Sequence, residues 1–247
     1  MQSLRITSIS VDEESIKGLA IALTIISLWA MSLIFLLNLD LDQIPIIWLG
    51  VGFVLQTFLY TGLFITAHDA MHGVVYPKNP RINNFVGTVA LLVYGLFSYK
   101  ELLRKHHLHH RFPSSEKDPD FHDLKHKDFF SWYLYFMKNY WSWTRLMGLG
   151  LIFIILHFAL QIPIANMALF WIIPSILSSV QLFYFGTFLT HQEPKGGYTN
   201  PHRAESTSFP VLWSFITCYH FGYHEEHHLY PNVPWWKLPE VRKQNNC

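Results

Sequence analysis

From Gly18 to Leu37 the chain carries no charged side chain, and the same holds from Ile44 to Ala67 and from Leu146 to Thr190. Roughly twenty apolar residues in helical form cross a bilayer core, so each of the first two runs suits one crossing. The third is about twice as long as a crossing needs, and Pro163 and Asn166 in "QIPIANM" (161–167) mark a turn near its middle. It reads as two helices forming a hairpin. Charged residues are only 14% of the chain and hydrophobic ones 51%, against roughly 25% charged in soluble domains. Buried helices of a soluble core therefore explain these runs poorly. The expected fold is all-α and integral to the membrane, a single domain over 1–247 with four transmembrane helices at about 18–37, 44–67, 146–162 and 168–190.

The segment 82–99 is also uncharged but short for a crossing, and a crossing there would put the histidines before and after it on opposite sides. It is expected to be a re-entrant or interfacial helix, in which Gly87 and Gly95 suit close packing. The amino terminus lacks the basic start and cleavage site of a signal peptide, so the first span is read as retained. The far-side turns, "NLDLDQ" (38–43) and "QIPIANM", contain no Lys or Arg, which leaves all 18 on the other side with both termini. The positive-inside rule makes that side cytoplasmic. A net charge of +1 gives no case for nucleic-acid binding.

Three crowded histidine clusters stand at that cytoplasmic edge: "HDAMH" (68–72), "HHLHH" (106–110) and "HEEHH" (224–228). Residues three and four apart share a helix face, so each cluster can aim two or three imidazoles at one point. The two cysteines, Cys218 and Cys247, are too few for a thiolate site, so metal chemistry here rests on imidazole and carboxylate. Eight histidines (His68, His72, His106, His109, His110, His224, His227 and His228) exceed what one tetrahedral ion takes, implying two ions. Redox-inert zinc suits hydrolysis, whereas an apolar membrane substrate offers C–H bonds, which points to iron. A ninth ligand is His191, at the end of the last span in "FLTHQEP"; a structural helix-end histidine is the competing reading.

Geometry alone leaves "HHLHH" open, since 106/109/110 and 106/107/110 each fit one arc of roughly 100°. The third cluster has acids at its second and third positions. If the two clusters are equivalent, His107 supports the site rather than ligating, and His220, one turn before His224, also stays outside. Asp69, Asp118, Asp120, Glu225 and Glu226 are the carboxylates able to orient ligands. Phe64, Tyr94, Phe97, Phe183, Tyr184 and Phe185 lie on helices that approach the clusters and are candidate walls of a substrate channel. "PWWK" (234–237) reads as an interfacial aromatic belt. His157 lies mid-span and is read as packing, and His122, His126 and His202 as loop residues. A metal transporter or sensor is a different class of function, but the spans lack the ionisable path that transport requires.

The three clusters resemble the HxxxH, HxxHH and HxxHH boxes of the membrane fatty-acid-desaturase and hydroxylase superfamily. The longer strings "FITAHDAMHG", "HHLHHRFPSSEKDPDFH", "FLTHQEP" and "HFGYHEEHHLYPNVPWWKLPE" are similar to bacterial and cyanobacterial β-carotene 4-ketolases, from about residue 45 to the carboxyl end. The resemblance implies two non-haem irons, dioxygen as co-substrate and a late-span histidine completing the ligands. It also implies oxidation of C4 of β-ionone rings, taking β-carotene to echinenone and canthaxanthin by two successive hydroxylations and loss of water. No flavin or nicotinamide motif is present, so electrons would come from a separate protein, by family analogy ferredoxin. A carotenoid hydroxylase or a membrane lipid desaturase would share the same boxes and topology.

Overall fold

A computed structural model of the protein describes residues 10–245, so the expectation for the two chain ends lies in part outside it. Every regular element among these residues is helical. Helix α1 (Val11–Leu37) starts ahead of its uncharged run because Ser10 caps it: the Ser10 hydroxyl accepts the Glu13 N–H and the Glu13 carboxylate accepts that of Ser10. Asp12, Glu13 and Glu14 fill the first turn, where the helix dipole favours negative charge. Helix α2 (Ile46–Met71) runs on past Ala67, so His68 rides its last turn and His72 follows at its end.

The expected helix over 82–99 begins earlier and ends at Gly95, and a second helix starts at Tyr99. Asn79 caps and Pro80 opens α3 (Pro80–Gly95), which stops at Leu96 in a left-handed conformation (φ 56°). Ser98 then caps α4 (Tyr99–Arg111), which leaves at 101° to α3. At about 24 Å, α3 alone is short for a crossing. It packs closely on its neighbours at Gly87, where a Cβ would fall 2.4 Å from the Tyr99 ring and 2.7 Å from the Ala70 Cβ. The Tyr99 hydroxyl and the Asn83 amide both donate to the Ala70 carbonyl at 2.7 Å. These contacts pin the end of α2 that carries the first histidine pair.

Helix α5 (Phe129–Asn139) meets α6 (Trp143–Ala159) at a 91° bend, and α6 turns back into α7 (Ile164–Phe188). The turn is tighter than expected, with Gln161 left-handed (φ 56°), and Asn166 is already inside α7. There its side-chain amide donates to the carbonyls of Leu36 (3.2 Å) and Leu39 (2.8 Å). The two Lys- and Arg-free turns thus lie together at one end. Helix α7 widens by one residue per turn at 168–172, just ahead of Pro174, and again at 184–188. Such widened turns accommodate a missing N–H and recur beside functional sites.

The remaining helices, α8 (Val211–Cys218), α9 (His224–Leu229) and α10 (Leu238–Asn245), close over the histidine end. Helices α1, α2 and α7 are each long and apolar enough to cross a bilayer. They turn large apolar side chains outward, such as Met31 (68% exposed) and Ile46 (86%). Contiguous exposure of this kind is rare in soluble monomers and matches a lipid-facing surface. The protein is an all-α integral membrane protein.

Candidate metal centre

Nine imidazoles converge where the ends of α2, α4, α7 and α9 meet, and they fall into two groups. His68, His72, His106, His110 and His227 form one, and His109, His191, His224 and His228 the other; within each, one nitrogen per ring lies within 4.8 Å of all the rest. The partition follows helical geometry. Residues four apart lie one above the other on a helix face, and His68/His72, His106/His110 and His224/His228 each stay within one group. The residue just before the last histidine of a box is turned about 100° away. So His109 leaves its own cluster for the second group, and His227 leaves for the first. A box of the form HxxHH thus serves two centres from one helix.

The donor set fits metal ions. The Nε2 atoms of His72 and His106 lie 2.6 Å apart, and those of His110 and His227 3.0 Å. In the second group the Nε2 pairs His109–His228, His228–His224 and His224–His191 lie at 3.1, 3.1 and 3.0 Å. Ligands at right angles with metal–nitrogen bonds of about 2.1 Å sit about 3 Å apart. Buried neutral imidazoles crowded lone pair to lone pair are unfavourable unless a cation lies between them. His68 Nε2 has no hydrogen-bond partner among the described residues despite full burial, so it too is left for a metal.

Support for the ligands is uneven. Asp118, almost wholly buried, accepts from His109 Nδ1 at 3.0 Å and from the backbone N–H groups of Ser114 and Asp120 at 2.9 Å. Burial opposes a charge on His109, but the Asp118 carboxylate outweighs it and lifts that imidazole to about 9. The Nε2 of His109 is thereby kept facing the second group. Asp120 stands 3.7 Å from the same Nδ1 and accepts from the Tyr140 hydroxyl; burial pushes its carboxyl up to about 6. His191 is oriented by the Arg203 carbonyl, which its Nδ1 meets at 2.8 Å. Asp69 lies 3.6 Å from His68 Nδ1 and accepts the Trp235 N–H at 3.0 Å. Burial and then the neighbouring imidazoles hold His224, His227 and His228 well below the usual imidazole range, in the neutral form that binds metal.

Four expected supports are placed elsewhere. Glu226 pairs with Arg242 at 3.1 Å and accepts from Ser206, and the Glu225 N–H donates to the same hydroxyl. With the histidines of α9 turned toward the two groups, Glu226 falls on another face and ties the helix to α10 and to Ser206. His107 is exposed on α4, turned away from both groups. His220 is buried but stacks on Tyr223, its backbone left-handed (φ 61°), because the helix breaks there before α9 begins. His157 bonds the Ile162 carbonyl far from the site.

An apolar cavity of about 590 Å³ runs from the histidines along α7. Of the aromatic residues singled out in the sequence, Phe64, Tyr94, Phe97 and Phe183 line it, whereas Tyr184 and Phe185 do not. On α7 the lining residues recur every three or four positions, from Ile172 through Ser175, Ser179 and Phe183 to Thr187; Tyr184 and Phe185 fall off that stripe and pack on Phe129 and Phe209. Phe221, unremarked in the sequence, packs edge-on against His68 at 4.9 Å and His224 at 5.2 Å. Gly186 makes room for it, since a Cβ there would fall 2.0 Å from its ring. Its place one turn before His224 was the available signal.

Residues 44–160 and 137–246 match the fatty acid desaturase family model. β-Carotene ketolases from two strains of Paracoccus are similar in sequence. One is 44% identical over 76% of this chain and 76% of its own length, the other 41% identical over 90% of each. A zeaxanthin 4-ketolase from Chlamydomonas reinhardtii is 38% identical over 92% of this chain and 53% of its own. The chain belongs to the fatty acid desaturase family, and the relatives it resembles within that family are carotenoid ketolases.

Proposed function

We propose that this protein is a carotenoid 4-ketolase that oxidises C4 of β-ionone rings, taking β-carotene to echinenone and canthaxanthin. The observation that carries the reading is the cavity's inner end, where imidazoles of both groups, His68 and His106 of one and His109 and His224 of the other, line the same apolar space. A substrate seated there meets both centres at once. Along α7 the lining runs from Trp171 to Thr187, about 24 Å of helix, which suits a long linear hydrocarbon with one ring at the histidines. Two irons bound by the nine imidazoles would supply the activation of dioxygen needed to hydroxylate an allylic C–H bond. Two such rounds at one carbon give a geminal diol, and its loss of water leaves the ketone.

The chain's own part is to place the ring and keep the site dry. Phe64, Tyr94, Phe97 and Phe183 offer flat faces to a polyene, and Phe221 packs beneath the histidines at the cavity's end. Asp118 and the Arg203 carbonyl fix the ring nitrogens that face away from the metals. The Arg145 guanidinium lies 3.7 Å over the Phe97 ring and closes the wall beside Tyr140. The reading includes four crossings, by α1, α2, α6 and α7, with the histidine end and both termini on the cytoplasmic side, where all 18 Lys and Arg would lie. Electrons come from an external carrier of the ferredoxin class.

Pigment analysis of β-carotene-producing bacteria expressing the chain tests the assignment. Accumulation of 4-keto carotenoids is expected. Only 3-hydroxylated carotenoids, or new double bonds in acyl chains, would shift the reading to a hydroxylase or a lipid desaturase at the same centre.

A further inference from the structure

The outer face of α4 has no part in holding the histidine groups. Lys100, Arg104, His107 and Arg111 are spaced by four, three and four residues, which puts them in one stripe, and all four are exposed. Among the described residues Lys100, Arg104 and Arg111 form no ion pair; the acid of α4, Glu101, is engaged by Lys105 at 3.1 Å. The stripe also carries no exposed large apolar side chain, whereas α5 turns out Phe130 and Leu134. A helix face lying in lipid would alternate its cations with apolar residues, so this one is made for water.

The stripe stands directly behind the metal ligands. His106, His109 and His110 leave α4 roughly 140° round the helix from it, and they serve both groups, His106 and His110 the first and His109 the second. The other ligand helices offer no comparable approach. The end of α2 is buried, and α9 is buried except at Glu225, which is half-buried, and Leu229. Only the thickness of α4, about 10 Å with side chains, separates a surface partner from both centres. We infer that the Lys100–Arg104–His107–Arg111 face of α4 is the docking surface for an acidic, soluble one-electron carrier protein. The inference rests on the oxygenase reading above: each hydroxylation takes up one dioxygen, two electrons and two protons and releases one water. The sequence carries no flavin or nicotinamide motif, so on that reading the electrons arrive through a bound donor.

The test uses the iron-loaded protein in nanodiscs and an Arg104→Glu/Arg111→Glu variant. Three quantities are measured: iron content, the Kd for a plant-type ferredoxin, and turnover driven either by reduced ferredoxin or by photoreduced deazaflavin, which needs no docking. The expected result is a Kd and a ferredoxin KM raised roughly tenfold or more, with the salt dependence of both flattened. Iron content and deazaflavin-driven turnover should stay unchanged. An unaltered ferredoxin Kd and KM would overturn the proposal, as would an equal loss with both reductants. So would an effect that appears only in anionic nanodiscs and vanishes in neutral ones, which would assign the stripe to lipid headgroups. Failure of the unmodified protein to oxidise carotenoid with either reductant would instead strike the functional reading, and the ferredoxin Kd would still decide the docking surface.

Discussion

Replacing Asp118 by asparagine keeps the size of the side chain but removes its charge and one of its two acceptor oxygens. Asp118 receives three hydrogen bonds, from His109 Nδ1 at 3.0 Å and from the N–H groups of Ser114 and Asp120 at 2.9 Å. An amide oxygen can still serve part of that set, but the amide nitrogen, which cannot accept, then faces the N–H of Ser114 or Asp120 and one side of the His109 ring N–H. His109 loses the partner that fixes its tautomer and aims its Nε2 at the second group. Losing such a partner typically weakens metal binding about 10–100-fold, equivalent to about 1.4–2.7 kcal/mol. Of the two histidine groups His109 belongs only to the one of four, so the loss should fall on one ion of two. Chelator titration of the purified protein, followed by iron released per chain, should change from a single late phase to two phases. The early phase should appear at about 10–100-fold lower chelator activity. Release of both ions together, or a curve unchanged from the parent, would refute the division of the ligands into two groups.

Other substitutions and conditions carry equally specific expectations. His109→Ala should lose iron and ketolase activity, whereas His107→Ala, at an exposed position turned from both groups, should keep its iron and some turnover; complete metal loss in both folded variants would overturn that assignment. Acidification should strip metal and destabilise the metal-free fold. The folded-state values of His224, His227 and His228 lie below the ordinary imidazole value near 6.5, so the unfolded chain binds more protons in that window. Their contribution is therefore complete above that value and is lost as pH falls through the depressed ones. Stability of the metal-free protein that rises on acidification would contradict it. Gly186→Leu should drive Phe221 from its seat, since even a Cβ would lie 2.0 Å from that ring. Turnover should fall by at least tenfold while the protein still binds iron, as read by product formation and metal content; undiminished turnover would show that Phe221 does not shape the cavity end.

The sequence carried the parts of this fold that depend on local pattern. Charge-free runs located α1, α2 and α7, which are long and apolar enough to cross a bilayer, and the spacing of "HDAMH", "HHLHH" and "HEEHH" showed which imidazoles share a helix face. What it could not carry depends on how the helices meet. The separation of His109 from His110, and of His227 from His228, follows from α4 and α9 each straddling two centres. Glu226 sits beside ligands in the chain but points to Ser206 and Arg242, because adjacent positions on a helix face different ways. The break at Leu96 carried no glycine or proline at the left-handed residue itself to announce it. Ser98, the cap of α4, was the available clue. Tyr184 and Phe185 looked equivalent to Phe183 until the cavity selected one stripe of α7.

The number and kind of bound metal ions distinguish a two-centre oxygenase from any other use of these histidines. Under the proposed function, the nine imidazoles in groups of five and four would hold two ions per chain, and oxidation of a C–H bond would take iron. Elemental analysis of the protein purified in mild detergent, paired with its ketolase activity, should find two irons per chain, with activity rising in proportion to iron. A single metal per fully active chain, or stoichiometric zinc with activity independent of iron, would contradict it.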